Sequence, residues 1–136
     1  MRTKSTLTAA DGLRIIAAGK VEAEKNGWNV SIAVVDESGF LLAFERMDLA
    51  NPQSADISIR KAWTAAAARV PTKALEDIAK DRPGTLAFAG RLPVQGGMPV
   101  KVGADCVGAV GVSGVASHQD EQVAQAGILG LGDLKA

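Results

Sequence analysis

Val30-Ser31-Ile32-Ala33-Val34-Val35, then Asp36-Glu37-Ser38-Gly39, then Phe40-Leu41-Leu42-Ala43-Phe44: these consecutive stretches decide the fold. In the first, Val30, Ile32 and Val34 alternate with Ser31, Ala33 and Val35, which is the period-two pattern of a strand. The third is a second apolar run, and the segment between them is made of turn-forming residues. Together they predict a β-hairpin with a four-residue loop. The pattern returns near the C-terminus, where Met98-Pro99-Val100-Lys101-Val102 and Cys106 to Val112 are joined across Gly103-Ala104-Asp105 as a second hairpin.

Helices fill the rest. Thr8 followed by Asp11 has the spacing of a capping box, and Leu13, Ile16, Ala17 and Val21 then repeat at helical spacing until Asn26-Gly27. Asn51-Pro52 sets a capping side chain before a proline suited to the first helical position, and the Ala-rich run from Gln53 continues to Val70-Pro71. Its Ala55, Ile59, Ala62 and Ala66 form a stripe of mostly small side chains, so its packing partner approaches the backbone closely. A short helix from Thr72 to Lys80 stops at Asp81-Arg82-Pro83-Gly84, because proline disfavours helical geometry in its predecessor. Leu86 to Leu92 is too short and Gly-interrupted to assign. Ser117-x-x-Asp120 reads as a further capping box, opening a helix through Val123, Ala124 and Ile128. Helix, hairpin, helices, hairpin, helix makes an α+β domain over residues 1–136, an antiparallel sheet with helices packed on it.

Composition narrows the function. The 136 residues carry 15 Lys plus Arg and 15 Asp plus Glu, so no net field gathers polyanions, and nucleic acid is not an expected partner. A hydrophobic content of 47% with zero net charge favours burial of surface between copies of the chain, a homo-oligomer. The lone Cys106 has no partner for an internal disulfide, the N-terminus has no apolar signal core, and no apolar run approaches the roughly 20 residues of a membrane helix. The expectation is a cytoplasmic protein that does not enter the membrane.

Two constellations carry possible chemistry. Gly96-Gly97-Met98-Pro99, Ser113-Gly114 and the helix start at Ser117-His118-Gln119-Asp120 combine glycines that admit close approach with free N–H groups at a helix N-terminus, a seat for a carboxylate. His118, the single histidine, is a candidate ligand for metal or haem iron and, with Asp120, a candidate proton carrier. One His and one Cys fall short of a zinc site. Arg46, Asp48 and Lys61 form the second group, with Arg46 suited to a bidentate grip on a carboxylate and Lys61 as a second cation.

Taken in order, Ile32-Ala33-Val34-Val35-Asp36-x-x-Gly39, Phe44-x-Arg46-Met47-Asp48, Lys61-Ala62-x-Thr64-Ala65, Gly96-Gly97-Met98-Pro99-Val100 and Gly108-Ala109-Val110-Gly111-Val112-Ser113-Gly114 with Asp120-Glu121 resemble the GlcG/HbpS family, related to the C-terminal domain of the PduO proteins. The resemblance implies a profilin-like, three-layer domain with a central antiparallel sheet flanked by helices, a ligand pocket and closed homo-oligomers. Some members bind haem, at no one fixed ligand position. Ala116-Ser117-His118-Gln119 departs from the glycine-rich stretch common before the Asp, and tyrosine, one common haem-iron ligand, is absent. Besides a structural or accessory subunit whose Gly-rich strands serve oligomer packing alone, two functions follow as expectations. One is a binder of haem, a related tetrapyrrole or another small anionic ligand. The other is a small catabolic lyase or isomerase for a carboxylated or aromatic intermediate, with Arg46 as anchor and His118 or Asp120 moving a proton.

Overall fold

The central strands of the sheet are apolar along nearly their whole length because helices cover both of their faces. The computed structural model describes residues 1–134, so the last two positions of the expected 1–136 domain lie outside the described residues. Its elements are α1 (Ala9–Lys25), β1 (Ser31–Asp36), β2 (Leu41–Arg46), α2 (Gln53–Ala68), α3 (Thr72–Asp81), a 3₁₀ turn (Pro83–Ala87), β3 (Gly97–Val102), β4 (Asp105–Ser113) and α4 (Ser117–Leu129). The unassigned 86–92 stretch is thus the end of that turn followed by loop. The four strands run in the order β2-β1-β4-β3, each antiparallel to its neighbour. Both predicted hairpins form, the second across Gly103-Ala104 alone because Asp105 already pairs with Val102, and the two are joined through β1 and β4, with Ser31 opposite Ser113. The α+β, three-layer architecture with its central antiparallel sheet is the one expected.

On one face, α1 and α4 cover Ile32, Val34, Val110 and Val112, burying Ile15, Ile16, Val123 and Ala124 with them. Each such large aliphatic side chain contributes about 1.5–3 kcal/mol on burial. On the other, α2 covers Ala33, Val35 and Ala109 with Ala62, Ala65 and Ala66. This layer is thin because backbone meets backbone. A Cβ at Gly111 would stand 2.0 Å from the Ser58 carbonyl oxygen, and one at Gly97 would stand 2.5 Å from that of Lys61. The helix face that does this differs from the expected stripe. Ala62 and Ala66 are buried, Ala55 and Ile59 only partly, and Ser54, Ser58, Lys61 and Ala65 complete the buried face. Small hydroxyls fit there because they find partners: Ser58 Oγ donates to Ala55 O and Ser54 Oγ to Asn51 O, one turn back each, and Ser54 Oγ also lies 2.8 Å from Ser31 Oγ on β1.

The helix ends show which local signals held. The α1 box is complete, with Thr8 Oγ1 accepting from Asp11 N (3.2 Å) and Asp11 Oδ2 accepting from Thr8 N (2.9 Å). Asn51 Oδ1 accepts from Ser54 N at 3.0 Å, with Pro52 already in helical geometry. At α4 the expected box does not form. Ala116 occupies the cap position, Ser117 is the first helical residue, and Gln119 Oε1 accepts the Ala116 N–H at 3.2 Å. Asp120 is drawn inward, for a reason found in the site. Among the described residues, no helix is long and apolar enough to cross a membrane.

Candidate functional site

Lys61 belongs to the buried face of α2 and is 2% exposed. A buried ammonium is tolerable only with charge and acceptors around it. Both acceptors come from the far end of the chain. Lys61 Nζ donates to Val112 O on β4 at 2.9 Å and to Asp120 Oδ2 on α4 at 3.1 Å. The side chain therefore starts in the α2 layer and ends against α4, on the opposite side of the sheet.

The sheet lets it through where β3 begins. Val112 N donates to Gly96 O at 3.0 Å, and its carbonyl, on the same side of the strand, has no strand partner beyond Gly96, so Lys61 takes it. Gly96 sits at φ +133, and a Cβ there would lie 2.7 Å from both Lys61 Nζ and Val112 O. Only glycine provides that conformation and that opening. The strand start is fixed from below by Thr72, the first residue of α3, whose Oγ1 accepts from Gly97 N at 2.9 Å.

Asp120 is 2% exposed, and its second oxygen accepts from Val115 N at 3.1 Å. Desolvation pushes its carboxyl above the usual aspartate range and outweighs the opposing pull of the Lys61 ammonium, the Val115 N–H and His118. The carboxylate found beside Gly96 and Gly97 is therefore the chain's own, held by Lys61 Nζ and the Val115 N–H. Lys61 and Asp120 form a mutually neutralised pair tying α2, β4 and α4 together.

The other residues singled out from the sequence lie around this pair or away from it. Gly96 and Gly97 line it. Ser113 is buried one residue beyond Val112, and Gly114 (φ +143) turns the chain against Asn29 and Val30. His118 is exposed two residues before Asp120 and makes no hydrogen bond to a described residue. Arg46 and Asp48 are exposed at the end of β2, in an open depression of about 490 Å³ shared with Lys20, Glu24 and Glu45. The grouping of Arg46, Asp48 and Lys61 is corrected: Lys61 turns away from solvent because Asp120 and Val112 hold it. Thr72 is the residue that sequence reasoning missed, and its place directly after Pro71 was the available signal. Among the described residues, no cluster of three or more His, Cys, Asp or Glu has metal-binding geometry.

The family model for the haem degrading protein HbpS-like family matches residues 7–129. Protein GlcG of Escherichia coli (strain K12) is 47% identical over 114 residues, covering 83% of this chain and 85% of that one. A solved double mutant of Streptomyces reticuli HbpS superposes with a TM-score of 0.92 at 37% identity, covering 98% of this chain and 92% of that one. The crystal structure of a PduOC:haem complex matches in fold, with a TM-score of 0.85 at 23% identity over 96% of this chain and 99% of that one. The order of elements and these similarities agree, and the chain belongs to the HbpS-like family.

Proposed function

We propose that the protein binds haem or a related tetrapyrrole, which His118 would hold through its iron and Arg46, from the same or a neighbouring copy, through a propionate. Family membership supports the ligand class. The observation that carries the reading is His118 itself. The chain's single imidazole is exposed at the start of a helix anchored by the Lys61–Asp120 pair, and no described residue claims its nitrogens. Lys61, buried and paired, takes no part in holding propionates. The catabolic-enzyme reading is weaker because Asp120, its second proton carrier, is engaged by Lys61 and Val115.

Haemin titration of the purified protein tests this. The expected result is a saturable Soret band that His118→Ala alters in position and intensity. Because only neutral imidazole coordinates iron, binding should weaken on acidification in the wild type more than in the variant. Identical spectra for the two proteins would remove His118 from the site.

The same proposal includes self-association. Leu41 and Phe44 of the edge strand β2 pair with Val35 and Ala33 and so share their face, yet they are 49% and 36% exposed. A second copy covering them accounts for that exposure. Light scattering that returned the mass of one chain at micromolar concentration would refute it.

A further inference from the structure

The loop between α3 and β3 leaves a cation without an anion. Proline ends α3 at Asp81 and starts the 3₁₀ turn, after which the chain returns to α2 and is fastened there. Leu92 N donates to Thr64 Oγ1 at 2.8 Å, and Trp63 packs under Gly90, where a Cβ would meet its ring at 3.3 Å. Over this floor a depression of about 280 Å³ opens between Trp63, Ala67 and Ala68 of α2 and Phe88, Ala89 and Arg91 of the loop. A second depression of about 200 Å³ adjoins it on the α3 side, sharing Phe88 and Arg91 and adding Arg82.

Its electrostatics are unbalanced. The Arg91 guanidinium stacks 4.8 Å from the Phe88 ring centre. Neither Arg91 nor Arg82 has a carboxylate within ion-pair distance among the described residues. Arg91 Nε is buried and finds no acceptor. A buried donor without an acceptor is an unmet demand, and beside an unpaired guanidinium an oxygen anion would answer it. Beside it, Phe88 is 56% exposed, so the part of its ring that Arg91 does not cover stands open at the surface.

We propose that this cleft is a binding site for a small planar aromatic carboxylate, its ring against Trp63 and Phe88 and its carboxylate on Arg91, with Arg82 as the second cation. Size limits the ligand to one or two fused rings, since the cleft falls below the roughly 300 Å³ at which pockets for drug-sized ligands begin. Charge excludes neutral aromatics, because guanidinium and carboxylate match in a planar, bidentate geometry. Inorganic anions lack the apolar half of the match. The site uses no residue of the haem reading and stands or falls separately from it.

Equilibrium dialysis of the full chain with 1-naphthoate tests the proposal. Saturable binding of one molecule per chain is expected, with the neutral analogue 1-naphthalenemethanol weaker by about tenfold or more. Arg91→Gln should lose about tenfold by removing the charged fork. Phe88→Ala, which trims an exposed side chain that the core does not need, should weaken binding in a protein folded like the wild type. Uptake that does not saturate, equal affinity for the neutral analogue, or wild-type affinity in either variant would overturn the assignment.

Discussion

Lys61 and Arg91 both pack against the stretch that leads into β3, and they meet opposite fates. Lys61 lies against Gly96 and Gly97, buried, with a carboxylate and a carbonyl from elements far along the chain. Arg91 lies on the loop, stacked on an exposed phenyl ring with its Nε unanswered. A cation is therefore available to a ligand according to whether the fold delivers a counter-charge to it. In this chain the residue that looked like the free cation from its sequence context is the one already taken.

The largest test of that contrast is Asp120→Ala. Removing one partner of a buried pair strands the other, so a loss of about 3–5 kcal/mol is expected in urea unfolding. A change below about 1 kcal/mol would mean that the Lys61 charge is not truly buried. The pH dependence sharpens this. Because the native carboxyl holds its proton more tightly than in the unfolded chain, where the ordinary value is 3.8, its contribution to stability is fully present below that value. It is lost as pH rises through the raised native value. The stability of the wild type relative to Asp120→Asn should therefore decline as pH is raised through this range, measured as the difference in urea midpoints.

Gly111→Ala comes next. Its new methyl would meet the Ser58 carbonyl at 2.0 Å, backbone against backbone, so α2 must lift from the sheet. An expected loss of about 1–3 kcal/mol is readable by thermal unfolding, and a silent substitution would mean that the α2 layer is looser than the contact implies. Arg91→Ala should cost less than about 1 kcal/mol, the scale of a surface cation–π contact, although a large loss of naphthoate affinity is expected from it. Arg46→Gln is expected to change stability by less than about 0.5 kcal/mol while lowering affinity for haemin. If Arg91→Ala destabilises as much as Asp120→Ala, the distinction between the two cations collapses.

What could be read in advance divides along sequence distance. The Asp36–Gly39 and Gly103–Asp105 turns, the Thr8–Asp11 box and the Asn51 cap are made by residues within a few positions of each other, and alternation in the strands did the rest. The pairing of Lys61 with Asp120 spans 59 positions, so no local period reports it. At Ser117–Asp120 the local rule misled, because a tertiary partner outbid the cap for the same carboxylate and left the capping to Gln119. The glycines at 96 and 97 were legible as an opening; which group fills the opening was not. Phe88 and Arg91 stood in the one stretch without periodicity, where nothing in the sequence says that a ring and a guanidinium will meet.

The passage of Lys61 through the sheet also sets an order of assembly. During synthesis the lysine leaves the ribosome well before Val112 and Asp120, the acceptors that make its burial tolerable. A nascent chain that has produced α2 but not α4 can form the first hairpin, yet it has no reason to dehydrate that ammonium. The α2 layer therefore remains unclosed until α4 is made, and α4 acts as the latch for the middle of the chain.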